Sequence, residues 1–266
     1  MSEPIHPQIT PMIIAFNEAA NIGRCLERLT WARRVLVVDS GSDDGTCEIA
    51  RAFPNVEIVT RPFDDFASQC NFGLSRIDTP WALSLDSDYI LSEALVAEIL
   101  TLRAGAADAY TAAFVYCIHG RPLRASLYPP RAVLYRRTRA CYHAEGHGHR
   151  VTIDGVIARL AGRIEHDDRK PLSRWFSSQQ SYARKEADFL LSAPPQSLGR
   201  MDRLRLSGWL APALVLPYTL VWKQCLLDGW PGWAYAMQRT IAEFMIALEL
   251  VDRRLARAGL RKDAGP

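Results

Sequence analysis

The sequence ITPMIIAFNEAANIGRCLERLTWARRVLVVDSGSDDGT, residues 9–46, decides the fold of the first part of this chain. It starts with an apolar run, ITPMIIAF (9–16), which predicts a strand. Four apolar residues then follow at the spacing of one helix face: Ile22, Cys25, Leu26 and Leu29. VLVV (35–38) is typical of a parallel strand covered on both faces. SGSDDGT (40–46) supplies turn residues and a helix start, so the stretch predicts a strand–helix–strand–helix unit.

The same alternation continues to about residue 105. VEIV (56–59) and WALSL (81–85) are predicted as the third and fourth strands, with a helix over 66–76 between them. Ser92 can then cap a helix whose apolar face begins at Leu95. Strands and helices that alternate at this spacing predict a doubly wound, Rossmann-like α/β fold with a mostly parallel sheet.

The rest of the chain divides into a strand-rich and a helical part. Further strands are predicted at 109–118, 132–137, 151–153 and 156–160. A long helix begins at Pro171, a favourable first helical residue, and SAPPQSLG (192–199) predicts a linker. Two apolar stretches follow, at 206–222 and 233–251. We therefore expect an α/β domain over residues 1–170 and a helical region over 171–266.

Composition excludes several classes of protein. Hydrophobic residues make up 48% and charged residues 23% of the 266, which excludes a disordered chain and a collagenous fibre. The six cysteines are scattered without paired spacing, so we expect reduced thiols in the cytosol, not a zinc or disulfide framework. The start, MSEPIHPQIT, lacks the apolar run of a secretory signal.

Charge is distributed unevenly along the chain. Residues 1–120 contain 8 Lys and Arg against 16 Asp and Glu, whereas residues 121–266 contain 24 against 13. The basic second half suggests contact with something anionic, such as phosphate, nucleic acid or a lipid surface. A solvated arginine-rich face is the alternative.

The apolar stretch LSGWLAPALVLPYTLVW (206–222) raises the question of a membrane segment. As a helix it is about 26 Å long, short of the roughly 30 Å hydrocarbon core, and Pro212 and Pro217 would kink it. Its tryptophans and tyrosines resemble an interfacial aromatic belt, and basic residues such as Arg203 and Arg205 flank it. A segment that lies in the interface is therefore expected; a helical pair packed on the sheet or in a dimer is the alternative.

Polar residues follow the predicted strands where a ligand would bind. In an open parallel sheet, ligands bind beyond the carboxyl ends of the strands. Those positions carry Asn17 and Glu18 after the first strand, Asp39, Ser40 and Gly41 after the second, and Asp86 and Asp88 after the fourth. The sequence there lacks G-x-G-x-x-G and G-x-x-x-x-G-K-[ST], so neither a dinucleotide fingerprint nor an NTPase phosphate loop is predicted.

Asp86-Ser87-Asp88 is the most informative of these positions. Residues i and i+2 of an extended chain point the same way, so both carboxylates can converge on one cation. Mg²⁺ or Mn²⁺ uses one or two carboxylates and takes its other ligands from water and phosphate oxygens. The motif therefore suits a metal–diphosphate leaving group; an acidic pair that only ends a strand is the alternative.

Three further side chains are candidates for contacts with the ligand. The carboxylate of Asp39 can accept hydrogen bonds from a base N–H or a ribose hydroxyl, or it can simply organise its own turn. Gln69 and Asn71, on the helix after the third strand, could reach a phosphate or a ribose, although exposed helix amides are mostly solvated.

The motifs F-N-E-A-A-N-I (16–22), V-V-D-S-G-S-D-D-G-T (37–46) and L-S-L-D-S-D (83–88) together resemble the family 2 glycosyltransferases with the GT-A fold. Within them, the chain is similar to the bacterial branch that builds lipopolysaccharide core and other surface polysaccharides. The match is dense over residues 9–91 and looser over 109–190, and the tryptophan-rich tail resembles the membrane-proximal tail of that branch.

The resemblance implies an activity and a setting. The chain would be a metal-dependent enzyme that moves a sugar from a nucleoside-diphosphate sugar to a lipid-linked or lipopolysaccharide-type acceptor, with inversion. It would work peripherally or monotopically at the cytoplasmic face of the bacterial inner membrane, with no nucleic-acid partner; its oligomeric state is left open. The nucleotide-sugar half would end near residue 105 and the acceptor half would cover about 106–170.

The resemblance also implies roles for single residues. Phe16, Asn17 and Glu18 would line the nucleotide pocket, Asp39 would hold the base or ribose beside Ser40, and Asp86 and Asp88 would carry the metal–diphosphate. Gln69 and Asn71 fall where relatives place contacts to the donor. Many relatives have an acidic residue just after the D-x-D motif, and here it is Tyr89.

An inverting transfer needs a base for the acceptor hydroxyl. The candidates cluster in HAEGHGHR (143–150), with Glu145 first, then His149 and His147. Relatives have a His–Glu pair near this point that the sequence does not reproduce cleanly. The alternative is that these side chains only satisfy loop backbone groups.

A second cluster, IEHDDRKPLSRW (164–175), combines His166, Asp167, Asp168, Arg169 and Lys170 just before the long helix. His166 could complete the metal sphere, as a late histidine does in some GT-A enzymes. Arg169 and Lys170 could hold the departing diphosphate, or they could belong to a solvated loop. Arg131 is a candidate for an acceptor or phosphate contact.

Two other functions remain open from the sequence. A nucleotidyltransferase that makes the activated sugar would need a glycine-rich loop directly after the first strand, and FNEAAN supplies no glycine there. A non-catalytic scaffold that binds sugar or lipid would keep its role after Asp86→Ala and Asp88→Ala.

Overall fold

The computed structural model describes residues 3–145 and 148–259, with the backbone alone at 144, 145, 148 and 149. The chain forms two compact units. The first comprises residues 1–122 and 127–170, and the second comprises residues 123–126 and 171–266.

The first unit is built around a large sheet. Its described strands are β1 (Ile9–Ala15), β2 (Val35–Asp39), β3 (Val56–Thr60), β4 (Trp81–Asp86), β5 (Tyr89–Leu91), β6 (Ala109–Ile118), β7 (Arg121–Pro122), β8 (Arg131–Arg136), β9 (Ala140–Glu145), β10 (Gly148–Ile153) and β11 (Ile157–His166). Its helices are α1 (Ile22–Glu27), α2 (Thr46–Arg51), α3 (Phe66–Ser75) and α4 (Glu93–Thr101).

The strand order of the large sheet is β3-β2-β1-β4-β8-β6-β11-β5, and β7 pairs with β6. Strands β3, β2, β1, β4, β6 and β11 run in one direction, and β8 and β5 run in the other. The predicted α/β class is therefore confirmed. Strands β9 and β10 form a separate antiparallel hairpin, where the sequence predicted a strand only at 151–153.

Local signals position the helices that cover the sheet. Ile22, Cys25 and Leu26 of α1 are buried, as their spacing predicted. Ser92 caps α4, because its Oγ accepts a hydrogen bond of 3.2 Å from the Leu95 backbone N–H. Burial of these apolar faces against the central strands forms the main core.

Strand β11 is longer than the sequence predicted, because it continues beyond residue 160 to His166. A register shift between Arg159 and Arg163 interrupts its parallel pairing with β6, which then resumes. Gly162 permits this path: a Cβ there would lie 2.4 Å from the Leu95 Cα of α4. The long strand carries His166 to the edge where the parallel strands end.

The second unit is helical, with α5 (Leu172–Ser192), α6 (Arg200–Leu206), α7 (Leu210–Pro217), a π-helical turn (Tyr218–Trp222), a 3₁₀ turn (Cys225–Asp228) and α8 (Trp230–Arg257). Over residues 3–145 and 148–259, no single helix has the length and apolar composition to cross a membrane. One pair, Arg200–Leu206 with Leu210–Trp222, meets that test jointly but is bent by 120°.

A buried ionic network holds three helices of this unit together. Arg205 of α6 donates to both carboxylate oxygens of Glu243 in α8, at 2.9 and 2.7 Å, and to Glu186 of α5 at 2.8 Å. Only 2% of the Glu243 side chain is exposed. Arg205, which the sequence suggested as a flanking basic residue of an interfacial segment, is therefore committed to helix packing.

Candidate functional site

The polar residues after the parallel strands meet at one edge of the sheet. Ala15 of β1 pairs with Asp39 of β2, and Ile14 pairs with Asp86 of β4, so the three strands end at one level. Strand β11 runs in the same direction and ends at His166. This is the edge at which open α/β sheets bind ligands.

The segment after β1 is held against the segment after β2. Asn17 adopts a left-handed conformation, with φ of 55°. Its backbone N–H donates to the Ser42 hydroxyl at 2.9 Å, and its Oδ1 accepts from the Asp43 N–H at 3.0 Å. Phe16 is half exposed beside it. Asn17 therefore shapes the loop, while Phe16 offers a ring at its surface.

Asp39 lies under the loop that it was expected to serve. Its Oδ2 accepts from the backbone N–H groups of Gly41 and Ser42, at 2.9 and 3.0 Å, and its Oδ1 accepts from the Ser42 hydroxyl at 2.5 Å. Only 2% of Asp39 is exposed. This is the geometry of the turn-organising alternative. Oδ2 already accepts two hydrogen bonds, so only Oδ1 retains a lone pair for one more donor.

Gln69 and Asn71 both use their amides to hold the framework. Gln69 is fully buried and bonds the Ser40 hydroxyl, the Arg61 carbonyl and the Arg61 guanidinium, at 2.7–2.9 Å. Asn71 bonds both backbone groups of Tyr142 at 2.9 Å, which joins α3 to β9. Direct contact of either amide with a donor stays a prediction, and the geometry favours a supporting role.

The two carboxylates of the D-x-D motif differ in their contacts: Asp88 is paired with a histidine, and Asp86 is not. The Asp88 Oδ2 lies 3.0 Å from Nε2 of His166, and the two side chains are 14% and 15% exposed. Burial opposes charge on both groups, but their mutual attraction outweighs it, so the pKa of Asp88 is lowered and that of His166 is raised. Within the described part of the chain, the Asp86 carboxylate makes no hydrogen bond or ion pair.

Aromatic rings enclose His166. The rings of Tyr89, Tyr116 and Tyr128 lie edge to face with the imidazole, at 5.3, 4.8 and 4.8 Å between centroids. The hydroxyls of Tyr89 and Tyr128 are hydrogen-bonded, and the Arg131 guanidinium lies 4.6 Å from the Tyr128 ring centroid. Tyr89, which stands where many relatives have an acidic residue, thus packs against His166 as one of the enclosing rings.

The 167–170 segment is bound to the loop after β1. The Asn21 amide donates to both Glu18 and Asp168, at 2.8 and 2.9 Å, and its Oδ1 accepts from the Arg169 N–H at 2.9 Å. Lys170 Nζ lies 2.6 Å from Glu18 Oε1. The two predicted clusters, FNEAAN and EHDDRK, therefore form one site.

Arg169 does not point freely toward a ligand. Its Nε donates to Asp167 Oδ2 at 2.7 Å, and the same oxygen accepts from Arg24 at 2.8 Å. Asp167 is 2% exposed and also accepts from the Gly120 N–H. Two guanidinium groups are thus held side by side on one buried carboxylate.

Glu18 titrates near neutral pH in this setting. Burial raises its pKa from 4.5 to about 7 and outweighs the attraction of Lys170. At a pH between 4.5 and about 7, Glu18 is protonated in the folded protein but ionised in the unfolded chain. The free energy of unfolding therefore falls as the pH rises from 4.5 to about 7.

We expect the wild-type protein to lose free energy of unfolding relative to Glu18→Gln as the pH is raised from about 5 to about 8. Urea unfolding across this range measures the difference. Glu57→Gln, at a carboxylate that is 51% exposed, is the control and should run parallel to wild type. Parallel profiles for Glu18→Gln as well would contradict the raised pKa.

The three candidates for the base are only partly covered by the structure. His147 lies outside the described residues. Glu145 and His149 are described by backbone alone, at the end of the β9–β10 hairpin, where Glu145 pairs with Gly148 and His149 with Ala144. Their roles stay predictions.

Sequence reasoning missed several residues that build the site. Asn21 was quoted within FNEAAN but given no role, although it joins Glu18, Asp168 and Arg169. Arg24 of α1 was also given no role, although its guanidinium donates to Asp167. The rings of Tyr116 and Tyr128 had no local signal, because they meet His166 only through strand pairing and a long connection.

The donors at this edge fit a divalent cation only in part. Asp86 and Asp88 supply hard oxygen donors and His166 supplies an imidazole nitrogen; among the residues that the structure describes, the buried Nδ1 of His166 has no hydrogen-bond partner. Across the described residues, no group of three or more His, Cys, Asp or Glu side chains is arranged as a complete metal site. The set suits a cation that takes most of its ligands from phosphate and water.

Comparison with known proteins gives a family. The model of glycosyl transferase family 2 matches residues 12–160. The lipopolysaccharide core biosynthesis glycosyltransferase LpsC of Rhizobium meliloti is 32% identical over 91 residues, which are 33% of this chain and 34% of that protein. The match therefore spans about a third of the relative's length.

Two solved structures have distant similarity. S. aureus TarS 1-349 in complex with UDP-GlcNAc gives a TM-score of 0.46 at 14% identity, over 94% of this chain and 92% of that one. Glucosyl-3-phosphoglycerate synthase from Mycobacterium tuberculosis, in complex with Mn²⁺, UDP and phosphoglyceric acid, gives 0.45 at 17% identity, over 72% and 81%. Likeness at this level is too weak to assign a role to any residue.

Proposed function

Because this chain belongs to glycosyl transferase family 2, we propose that it moves a sugar from a nucleoside-diphosphate sugar to a lipid-linked or lipopolysaccharide-type acceptor, with inversion. Residues 1–170 would be the catalytic domain, with a donor half to about 105 and an acceptor half over 106–170. The helical region 171–266 would associate with a membrane, at the cytoplasmic face of the bacterial inner membrane.

One observation carries the proposal. The unpaired carboxylate of Asp86 and the ionic pair of Asp88 with His166 stand at the carboxyl edge of the parallel strands, beside the loops after β1 and β2. If Asp86 and Asp88 only ended a strand, nothing would require a histidine 78 residues away in the sequence to pair with Asp88. The arrangement supports a site for a metal-bound diphosphate.

The donor nucleotide would lie over the loops after β1 and β2. Phe16 offers an exposed ring to a base, and Asp39 can accept from a base or ribose through the one Oδ1 lone pair that its turn leaves unused. Gln69 would act indirectly, since it holds the Ser40 hydroxyl and the Arg61 backbone in place. Asn17 would act in the same way, by holding the loop.

Asp86, Asp88 and His166 would hold a Mg²⁺ or Mn²⁺ ion, and His166 would release its proton to solvent on binding because only a neutral imidazole can ligate a metal. Such an ion neutralises negative charge on a departing diphosphate. His166 orients Asp88 through their hydrogen bond. The rings of Tyr89, Tyr116 and Tyr128 pack around the imidazole and orient it in turn. Asp86 would contribute a carboxylate that makes no hydrogen bond or ion pair with the residues that the structure describes.

Cations of this chain would also stabilise the leaving group. Arg169 and Arg24 are held together on Asp167, and Lys170 lies against Glu18. Positive charge placed in advance where negative charge develops lowers the barrier of such a reaction. Each of these cations already has a carboxylate partner, so a diphosphate would share the cation with that carboxylate or displace it.

The acceptor hydroxyl must lose its proton as the new glycosidic bond forms. We retain Glu145 as the proposed base, with His149 and His147 after it, because the hairpin that carries them is attached to α3 by Asn71. A carboxylate or neutral imidazole there would accept the proton while the nucleoside diphosphate leaves from the opposite face of the sugar.

A thermal-shift screen tests donor and cation together. We expect the melting temperature to rise by about 5–10 °C with one nucleotide sugar at roughly a hundred times its Kd, in the presence of Mn²⁺. The same sugar without the cation should give a much smaller rise. A flat response to uridine and guanosine diphosphate sugars, with and without Mn²⁺, would contradict the proposal.

A further inference from the structure

The second unit buries charge within an apolar core and exposes many large apolar side chains. Its interior contains Glu186, Glu243 and two threonines beside apolar residues such as Leu190 and Leu250, and Arg205 joins the carboxylates. Its surface carries large apolar side chains that are well exposed, among them Trp222 at 78% and Leu248 at 67%. A buried charged group and an extended exposed apolar surface are the two features of a folded domain that call for an explanation.

Helix α8 exposes apolar side chains along nearly its whole length. Its exposed apolar residues are Trp230, Trp233, Met237, Phe244, Leu248, Val251 and Leu255. At 100° per residue all seven fall within an arc of about 60°, and they extend over roughly 38 Å. The buried Glu243 lies about 110° from the middle of this arc, and the buried Thr240 lies just beyond its edge. The helix therefore presents one continuous apolar stripe outward.

The segments that precede α8 add a second exposed apolar group. It consists of Trp209, Val221, Trp222, Leu226 and Leu227. The π-helical turn 218–222 and the 3₁₀ turn 225–228 pack against α8, and the 3₁₀ turn leads directly into its amino-terminal end. Trp209 lies toward the other end of α8, since a Cβ on the preceding Gly208 would be 3.9 Å from Val251. Surfaces of this extent on a folded protein mark an interaction site.

Aromatic and basic residues identify the occupant as a lipid bilayer with anionic headgroups. Tryptophan and tyrosine favour the boundary between headgroups and acyl chains, and Trp209, Trp222, Trp230 and Trp233 are all exposed. Lys223 follows Trp222 directly, and its Nζ lies 5.8 Å from the Tyr218 ring centroid. Residues 171–266 contain 13 Lys and Arg against 8 Asp and Glu, so the unit complements negative charge.

We infer that the outward stripe of α8 and the adjoining 209–227 group form an in-plane membrane-docking surface that inserts its tryptophans at the level of anionic headgroups. This deepens the proposed function by naming the surface that meets lipid. Docking requires neither donor nor cation, and the donor screen requires no lipid, so the two proposals fail separately.

The test is flotation of the full-length protein with vesicles of phosphatidylcholine, alone or mixed with phosphatidylglycerol. Wild type should float with the mixed vesicles, and added salt should reduce binding because it screens the headgroups. The double variants Val221→Ser/Trp222→Ser and Phe244→Ser/Leu248→Ser should each bind at least tenfold less. Tryptophan emission should shift to the blue on binding in wild type and much less in the first variant.

Phe63→Ser is the matched control, because Phe63 of the first unit is also an exposed apolar residue; it should bind as wild type. Circular dichroism checks that the variants keep their helices. Wild type left with the soluble fraction at both compositions would overturn the inference. So would a dimer in sedimentation that Val221→Ser/Trp222→Ser dissociates, since the surface would then serve self-association.

Discussion

Asp88→Asn is expected to reduce sugar transfer about a thousandfold, or roughly 4 kcal/mol of transition-state stabilisation. The change keeps the shape of the side chain and an oxygen for the His166 ring, but it removes the negative charge. Without that charge, the pair can neither stay ionic nor hold a cation against a diphosphate. Release of nucleoside diphosphate in the presence of Mn²⁺ measures the effect.

Asp78→Asn is the matched control for this experiment. Asp78 precedes the amino-terminal end of β4, whereas Asp88 follows its carboxyl end, and its side chain is 84% exposed. We expect its turnover to equal that of wild type. Melting temperatures of both variants should stay close to wild type, so that lost activity reports on the site. Turnover of Asp88→Asn at the wild-type rate would refute the role proposed for this carboxylate.

Arg205→Met is expected to destabilise the helical unit by about 3–5 kcal/mol. Methionine replaces the aliphatic part of the arginine side chain but not its charge, so Glu186 and Glu243 stay buried without their cation. An unpaired buried charge is costly. Urea unfolding followed by circular dichroism should show the helical transition at lower denaturant.

Arg203→Met, two residues earlier on the same helix, is the control, because Arg203 is exposed and its loss should change the free energy of unfolding by less than about 0.5 kcal/mol. Adding Glu186→Gln and Glu243→Gln to Arg205→Met should restore much of the loss, since neutral amides are less costly to bury than charges. If Arg205→Met unfolds at the wild-type denaturant concentration, the network does not support the unit.

Much of the first unit was predictable because its signals are local. Continuous apolar runs and helical spacing indicated β1–β4, α1 and the helices after them. Ser92 was recognised as a cap from its position alone. Since parallel strands end at one edge of a sheet, the order of the motifs also predicted that Asp39 and Asp86 would lie at the same level, as the strand register shows.

The pairings that complete the site were not predictable in the same way. β5 is only three residues long, and the extension of β11 depends on a glycine that lets the strand pass close to α4. The direction of a buried polar side chain is also non-local. Gln69 and Asn71 were expected at the donor, yet their amides are taken up by Ser40, Arg61 and Tyr142.

The sequence by itself determined the α/β architecture, the family and the edge of the sheet where the chemistry gathers, because these follow from periodicity and from motifs only a few residues long. The tertiary structure alone decided that His166 meets Asp88, that Asn21 joins the two polar clusters, and that α8 turns Glu243 inward and its tryptophans outward. Periodicity shows that a helix has two faces, but only packing against other helices decides which face is buried.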